Sequence, residues 1–286
     1  MRISTSLNVL DASVSPEDQV RRCVEAGFEA LDMNYCDYQK VLLTQPWSEE
    51  ERWAYRFREA ADQHGLSFSQ MHGPIHGGSF HETMMGLNVQ SFTALAERAL
   101  QTAAILGVSW VVFHPTNIAF NPAYRPEETV DFNVQFYSKF LPILEKSGVG
   151  IALENLFAHR NVAWSYLTTS DELVELVDRI GHPLVGACWD TGHGHMSGHD
   201  QYDAIKQVGH RLKALHIQDT DKTLDQHLFP YHGTIDWNKV MKAVKEIGYT
   251  GDFTYEVHNA VRKVPDQLRD PLLHYAVKLA KSLVDM

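Results

Sequence analysis

The feature that most constrains the fold of this 286-residue chain is a regular alternation of short apolar runs with amphipathic helical stretches. Eight such pairs follow one another with no linker, internal repeat or low-complexity tract between them. Alternating β and α segments predict a parallel sheet in an α/β protein. Because right-handed crossovers over eight units can close such a sheet, we expect a single-domain (β/α)8 TIM barrel over residues 1–286. An open doubly wound sheet is the less favoured alternative, since no G-x-G-x-x-G loop follows the first strand.

Local signals place the elements within this alternation. The predicted strands are Ile3–Leu7, Phe28–Asn34, Ser67–Met71, Ser109–Phe113, Val149–Leu153, a sixth ending at Asp190, Leu212–Leu215 and Asp252–Tyr255. Ser15 is predicted to cap the first helix, with a proline in its first turn. Ser48 with Glu51 forms a capping-box pattern, which predicts a second helix start. One continuous helix is predicted from Pro126 to Ser147.

Composition narrows the classes of partner. The net charge of −11, with histidine counted as neutral, argues against nucleic acid, whose binding relies on Lys and Arg neutralising phosphates. No apolar run approaches the ~20 residues that span a bilayer, and no signal-peptide pattern is seen, so we expect a cytoplasmic protein. The three cysteines are scattered, which argues against a disulfide framework. The oligomeric state is left open, and a homo-oligomer is compatible with the sequence.

Residues able to bind a metal close six consecutive predicted strands. They are His72, His114, Glu154, Asp190, His216 and Glu256. In a barrel these strand ends all lie around one mouth. A lone histidine or carboxylate at a strand end is more often structural, but helix capping does not explain six of them. Clustered buried carboxylates and imidazoles need compensation, and a divalent cation is the simplest form of it.

An inner set of four residues is the best candidate for a metal centre. It consists of Glu154, Asp190, His216 and Glu256. Three carboxylates and one imidazole suit Mn²⁺, Mg²⁺ or Zn²⁺, and we expect one to three ions. The two glutamates are also candidate catalytic residues. One would remove a proton from a carbon beside a carbonyl group and the other would return it.

An outer set surrounds this centre and leaves two interpretations open. It consists of His72, His114, His193, Asp225 and His227. These side chains would hold further metals or substrate hydroxyl groups, or they would support the inner ligands by hydrogen bonds. Weaker candidates are His76, His81, His195, His199 and His232, and the aromatic side chains Trp47, Trp164, Trp189, Phe229 and Tyr231.

Ordered motifs along nearly the whole chain resemble the xylose-isomerase-like TIM-barrel superfamily. They are MHGPI (71–75), FHP (113–115), ALENL (152–156), CWDTGHGH (188–195), LHIQD (215–219), DQHLFPYHGTIDW (225–237) and YEVH (255–258). The superfamily contains sugar isomerases and epimerases, inosose dehydratases and the endonuclease-four class of abasic-site nucleases. In the ketose 3-epimerase branch, the matching positions imply that the inner set binds a metal, that its glutamates act as acid and base, and that His193 contacts the substrate.

The endonuclease-four branch implies a different use of the same residues, because its three-zinc cluster matches all nine of the inner and outer positions. The acidic charge and the lack of clear Arg/Lys clusters in the loops argue against DNA. The Gly-Thr-Ile-Asp-Trp stretch after Asp225 and His227 is similar to the isomerase branch, although the loop from Gln218 to Thr234 lacks an arginine that often helps hold the substrate there.

We therefore expect a metal-dependent isomerase or epimerase that acts on a small ketose, aldose or related polyol through an enediolate. The absence of a glycine-rich phosphate loop favours an unphosphorylated sugar. A multi-zinc phosphodiester hydrolase and a non-catalytic sugar- or metal-binding protein are the alternatives.

Overall fold

A closed barrel of eight parallel strands forms the centre of the computed structural model, which describes residues 1–75, 89–115, 126–157 and 166–286. The strands are β1 (Ile3–Ser6), β2 (Ala30–Asn34), β3 (Phe68–His72), β4 (Trp110–Phe113), β5 (Gly150–Glu154), β6 (Val185–Asp190), β7 (Leu212–His216) and β8 (Phe253–Tyr255). Strands β1 to β7 are adjacent in chain order, and β8 pairs with β1.

The barrel closes between β7 and β8 through a short parallel bridge. Ile217 pairs with Tyr255. The Ile217 N–H group donates to the Thr254 carbonyl at 2.8 Å, and the Glu256 N–H group donates to the Ile217 carbonyl at 3.0 Å. The predicted (β/α)8 barrel is confirmed.

Twelve α-helices lie within the described ranges. They are α1 (Pro16–Ala26), α2 (Tyr35–Leu42), α3 (Trp47–Gln63), α4 (Val89–Leu106), α5 (Pro126–Ser138), α6 (Leu141–Ser147), α7 (Ser170–Ile180), α8 (Thr191–Met196), α9 (Gln201–Val208), α10 (Trp237–Glu246), α11 (His258–Arg262) and α12 (Arg269–Val284). None of the helices in these ranges is long and apolar enough to cross a membrane. The candidates His76, His81 and Trp164 lie outside the described residues.

The observed start of α1 agrees with the start predicted from the sequence, whereas the observed start of α3 differs from the predicted one. Ser15 caps α1, and its hydroxyl accepts the Asp18 N–H group at 3.2 Å. The capping box predicted at Ser48 is wrong, because α3 begins one residue earlier, directly after Pro46. Ser48 therefore already lies inside the first turn, where its hydroxyl cannot act as the N-cap. A capping box does form at Thr169.

The single helix predicted from Pro126 to Ser147 is also wrong. The structure contains two helices there, α5 and α6, with Lys139 and Phe140 between them. Pro142 lies in the first turn of α6. Proline donates no backbone hydrogen bond, and its ring clashes with the carbonyl group four residues earlier, so α5 ends at Ser138 and α6 starts anew.

The long loop after β7 is fixed by one buried carboxylate. Asp219 forms an antiparallel bridge with Leu228, which folds the intervening residues back over the barrel mouth. Its side chain accepts the indole N–H group of Trp237 at 2.9 Å and the backbone N–H groups of Thr220 and Ile235 at 2.8 and 3.2 Å. Asp219 is therefore the residue that sets the course of the loop carrying Asp225.

We predict that Asp219→Ala lowers the free energy of unfolding by about 2 to 3 kcal/mol, because it leaves the buried Trp237 N–H group and the loop amides without their acceptor. Urea unfolding followed by tryptophan fluorescence measures the change. Asp221→Ala is the matched control, since Asp221 is exposed in the same loop, and we expect a change within about 0.5 kcal/mol. Equal effects of the two substitutions would contradict this assignment.

Candidate metal and active site

The two-residue period of the strands brings the predicted side chains to one place. A small buried cluster inside the barrel consists of Val112, Ala152, Cys188 and Ala214, one residue from each of β4 to β7. Side chains two residues apart on a strand point to the same face. The residues two positions further along these strands are His114, Glu154, Asp190 and His216. Each of them therefore projects over the barrel axis at the carboxyl end of its strand.

The inner set comes together as the sequence predicts. Glu154, Asp190, His216 and Glu256 are all buried and offer ligand-competent atoms within 4.8 Å of one another. His216 Nδ1 lies 2.9 Å from Glu154 Oε1 and 3.5 Å from Glu256 Oε2. Oxygen and nitrogen donors at this spacing match the ligand sets of Mn²⁺, Mg²⁺ and Zn²⁺.

Asp190 belongs to the inner set and also caps a helix. Its Oδ1 accepts the backbone N–H group of His193 at 2.6 Å, which starts α8. The Gln218 side-chain amide lies 3.3 Å from both Asp190 oxygens and donates to Asp225 at 2.8 Å. The Asp190 backbone N–H group donates to the side chain of Asn155 at 2.7 Å. Capping and membership of the cluster are therefore compatible roles for this residue.

Two of the outer histidines lie beside Glu154. His114 Nε2 is 3.0 Å from Glu154 Oε2, and His72 Nε2 is 3.7 Å from the same oxygen. The two Nε2 atoms are 3.2 Å apart. These three residues form a second group whose atoms could hold a metal ion.

The other three outer residues meet around Asp225. His227 Nε2 lies 3.0 Å from Asp225 Oδ2, and His193 Nε2 lies 3.6 Å from the same oxygen. Asp225 is a quarter exposed, whereas both histidines are buried. All nine predicted site residues therefore converge on one mouth of the barrel.

Three of these histidines are oriented by backbone carbonyl groups. The Nδ1 atoms of His72, His193 and His227 each lie 2.9 Å from a carbonyl oxygen, of Gly73, Asn155 and Glu256 respectively. A carbonyl only accepts, so Nδ1 carries hydrogen in each ring. Nε2 then faces the carboxylates and is the nitrogen that a cation would bind, although in His227 it also carries hydrogen, which it donates to Asp225 at 3.0 Å. Metal-binding histidines typically have this arrangement.

The pKa shifts within the cluster show that its buried carboxylates need positive charge beside them. Burial raises the pKa of Glu256 to about 7 and also raises the pKa of Asp190. Burial acts in the same direction on Glu154, but the nearby His216 and His114 hold its pKa well below the ordinary value. Burial would lower the pKa of His216, yet its acidic neighbours raise it well above the ordinary value. Protons on the imidazoles thus offset the carboxylates, a role that a divalent cation fills equally well.

Two residues of the site were missed by sequence reasoning. His258 contacts His227, with ring centroids 4.2 Å apart, and forms a third potential metal-binding group with His227 and Glu256. The only signal was its position two residues after Glu256. Asp32 lies inside the barrel on β2, fully buried. Its signal was a carboxylate between the apolar residues Leu31 and Met33 in the middle of β2.

The weaker histidine candidates that the structure describes form hydrogen bonds with residues outside the predicted site. His195 Nε2 lies 2.8 Å from the Thr234 hydroxyl, and His199 Nε2 lies 2.6 Å from the Thr168 carbonyl. His232 contacts Tyr275. Among the aromatic candidates, Trp189 and Phe229 are core residues, Trp47 is partly exposed and Tyr231 is exposed.

Comparison with known proteins finds relatives among sugar-converting enzymes. A D-psicose 3-epimerase of Enterocloster bolteae is 32% identical over 230 residues, which cover 79% of this chain and 71% of the relative. An inosose isomerase of Bacillus subtilis is 28% identical over 165 residues, covering 55% and 57%. The chain spans only 53% and 64% of the length of two further curated relatives, from Sinorhizobium fredii and Methanocaldococcus jannaschii.

Solved structures share the fold along the whole chain. The structure of the IolI protein with a bound zinc atom superposes with a TM-score of 0.79 at 20% identity, covering 99% of this chain and 98% of that one. A D-tagatose 3-epimerase-like protein has a TM-score of 0.78 at 22% identity, covering 100% and 98%. Residues 20–276 match the family model described as the xylose isomerase-like TIM barrel. The chain belongs to the xylose isomerase-like TIM-barrel family.

Proposed function

We propose that this protein is a metal-dependent isomerase or epimerase that acts on a small sugar or sugar-like polyol. The observation that carries the proposal is the inner set, in which three buried carboxylates and one imidazole lie within 4.8 Å of one another at the barrel mouth. The epimerase and isomerase names of the relatives support the same class of reaction. The single domain over residues 1–286, the cytoplasmic location and the oligomeric state stay predictions.

The donor set fits a divalent cation. Glu154, Asp190, His216 and Glu256 would hold it. Without a cation, a proton on His216 offsets these buried carboxylates, as the raised pKa of His216 indicates, and burial raises the pKa of Glu256 itself to about 7. A bound Mn²⁺, Mg²⁺ or Zn²⁺ would supply Lewis acidity, which polarises a substrate carbonyl group.

Proton transfer falls to the two glutamates in this proposal. One carboxylate takes the proton from the carbon beside the carbonyl group. The C–H electron pair forms the C=C bond of an enediolate, while the π pair of the carbonyl group moves onto its oxygen. The other glutamate returns a proton, either to the opposite face of the same carbon or to the neighbouring carbon. The first outcome is epimerisation. The second is isomerisation, in which the hydroxyl group on the deprotonated carbon also passes its proton to the former carbonyl oxygen and becomes the new carbonyl group. The carboxyl protons of Glu154 and Glu256 exchange with solvent between turnovers, so turnover in D₂O would introduce deuterium at the substrate carbon.

The outer residues are proposed to contact the substrate. His193 is fixed by the Asn155 carbonyl, so its Nε2 is presented towards the mouth beside Asp225. Burial would lower the pKa of His193, but Asp190 and Asp225 raise it well above the ordinary value, so Nε2 carries hydrogen and would donate a hydrogen bond to a sugar hydroxyl oxygen. The Gln218 side chain hydrogen-bonds to both Asp190 and Asp225. It would therefore hold Asp225 at a fixed position relative to the inner set.

One further observation favours a second candidate function, a multi-zinc phosphodiester hydrolase. The outer residues lie in two groups, one beside Glu154 and one around Asp225, and each has the histidine and carboxylate composition of a zinc site. The number of bound ions separates this candidate from the first.

We predict that Glu256→Gln lowers the rate of substrate C–H exchange with solvent deuterium by about 10²- to 10⁴-fold, because the amide cannot carry the proton. NMR of a ketose and aldose panel in D₂O, with metal-loaded protein, measures the exchange. Glu246→Gln on α10 is the control and leaves the rate unchanged. The proposed chemistry is wrong if the wild-type protein exchanges no C–H proton with any sugar that it binds, which would identify a non-catalytic binding protein.

We predict that the purified protein binds one tightly held divalent ion per chain. Elemental analysis gives the count, and close to three zinc ions per chain would instead favour the hydrolase. Adding metal to chelator-treated protein at about 100 times the dissociation constant should raise the free energy of unfolding by about 2.7 kcal/mol. An identical unfolding curve with and without metal would contradict a site in the folded state.

His193→Ala separates the two candidates independently. If His193 contacts a sugar, the variant keeps the metal content of the wild-type protein while kcat/KM falls about tenfold or more, in line with a lost hydrogen bond to a charged or polar group. If His193 binds a metal, the variant loses one ion. Metal content and steady-state kinetics on the same preparation decide between them. His195→Ala, which removes the hydrogen bond to Thr234, is the control.

A further inference from the structure

Asp32 is a buried carboxylate that the proposed chemistry does not use. It lies on β2 inside the barrel, is fully buried, and neither of its oxygens makes a hydrogen bond with the described residues. The Gln70 side chain and the His72 backbone face it without hydrogen-bonding geometry. Burying a carboxylate without a partner is costly, so its presence at this position requires a reason.

The group that Asp32 faces is His216 of the inner set. His216 Nε2 is also buried and also makes no hydrogen bond with the described residues. It lies 4.0 Å from Asp32 Oδ2. Each group is therefore positioned to be the hydrogen-bond partner of the other. A shift of about 1 Å would bring the two atoms to the N–H···O distance of about 2.9 Å.

The orientation of His216 is the reverse of that of its neighbours. His72, His193 and His227 give Nδ1–H to a carbonyl group and direct Nε2 to the cluster. His216 directs Nδ1 to the cluster, towards Glu154. At its outer nitrogen, where the other three rings have a backbone carbonyl, His216 has Asp32.

We propose that Asp32 is a positioning residue for His216, and that its carboxylate holds the Nε2–H group so that the Nδ1 lone pair faces the cation. This inference rests on the proposed metal centre. A carboxylate behind a ligating histidine fixes the tautomer and ring orientation and makes the ring a stronger donor. The His72 ring stacks on His216 with centroids 5.5 Å apart and planes within 10°, which restrains the same ring from its face.

Cys188 is the competing partner. Its thiol lies beside the His216 ring and contributes to the raised pKa of that ring. A thiol is a weak acceptor compared with a carboxylate. Cys188 also lies in the small cluster beneath the mouth, where packing alone accounts for its presence.

The role predicts two effects of opposite sign for Asp32→Asn. The Asp32 carboxylate is buried and makes no hydrogen bond with the described residues, so its loss leaves the metal-free protein as stable as the wild type or more so. Loss of the carboxylate behind His216 lowers the metal affinity about 10- to 100-fold. A residue retained for the fold alone would give the reverse result, with a lower melting temperature and an unchanged affinity.

The experiment measures Zn²⁺ and Mn²⁺ affinity by competition with a chromophoric chelator, and thermal unfolding of the metal-free protein. The variants are Asp32→Asn and Asp32→Ala, so that one remains if the other fails to fold. Thr254→Val is the matched control, because the Thr254 hydroxyl is another buried group inside the barrel without a hydrogen bond among the described residues. Cys188→Ala tests the competing partner. Both controls should keep the wild-type affinity.

Three results would overturn the proposal. They are an unchanged affinity in both Asp32 variants, a fall in metal-free stability in both Asp32 variants, and a loss in Cys188→Ala as large as that in Asp32→Asn. Wild-type protein that binds neither ion would overturn the metal centre and this inference together. Wild-type protein that binds metal and turns over sugar, with Asp32 variants of equal affinity, would overturn this inference alone.

Discussion

The constraint on which the site depends is the burial of three carboxylates, Glu154, Asp190 and Glu256, within one cluster. Like charges at this separation and out of water repel strongly unless positive charge lies between them. The surrounding imidazoles supply that charge when protonated, and a cation supplies it when bound. The negative charge at the barrel mouth is therefore balanced either by protons on the imidazoles or by a bound metal ion.

The backbone and the loops make this arrangement rigid. Carbonyl groups fix three histidine rings, and Asp190 joins the cluster to α8 by capping that helix. Gln218 connects Asp190 with Asp225 in the loop that Asp219 anchors. Asp190, Asp225 and three of the histidines are each held by a second contact, so the positions of these groups do not depend on side-chain rotamer preference alone.

Sequence reasoning succeeded where the signal was periodic and failed where it depended on one residue. The strand ends followed from the alternation of apolar runs, and all nine candidate residues converge. The capping box at Ser48 failed because Pro46 set the helix start, and the helix through Pro142 broke at its proline. Asp32 and His258 were missed because their place in the site depends on contacts with His216 and His227, which are distant in the sequence.

The sequence by itself determined the barrel and the identity of the groups at its mouth, because the two-residue strand period and the βα alternation are local properties that survive in the order of the residues. Only the tertiary structure decided which nitrogen of each histidine faces the cluster and that Asp32 lies behind His216. Those facts depend on distances between strands far apart in the chain, such as β2 and β7, and closure of the barrel is what fixes them.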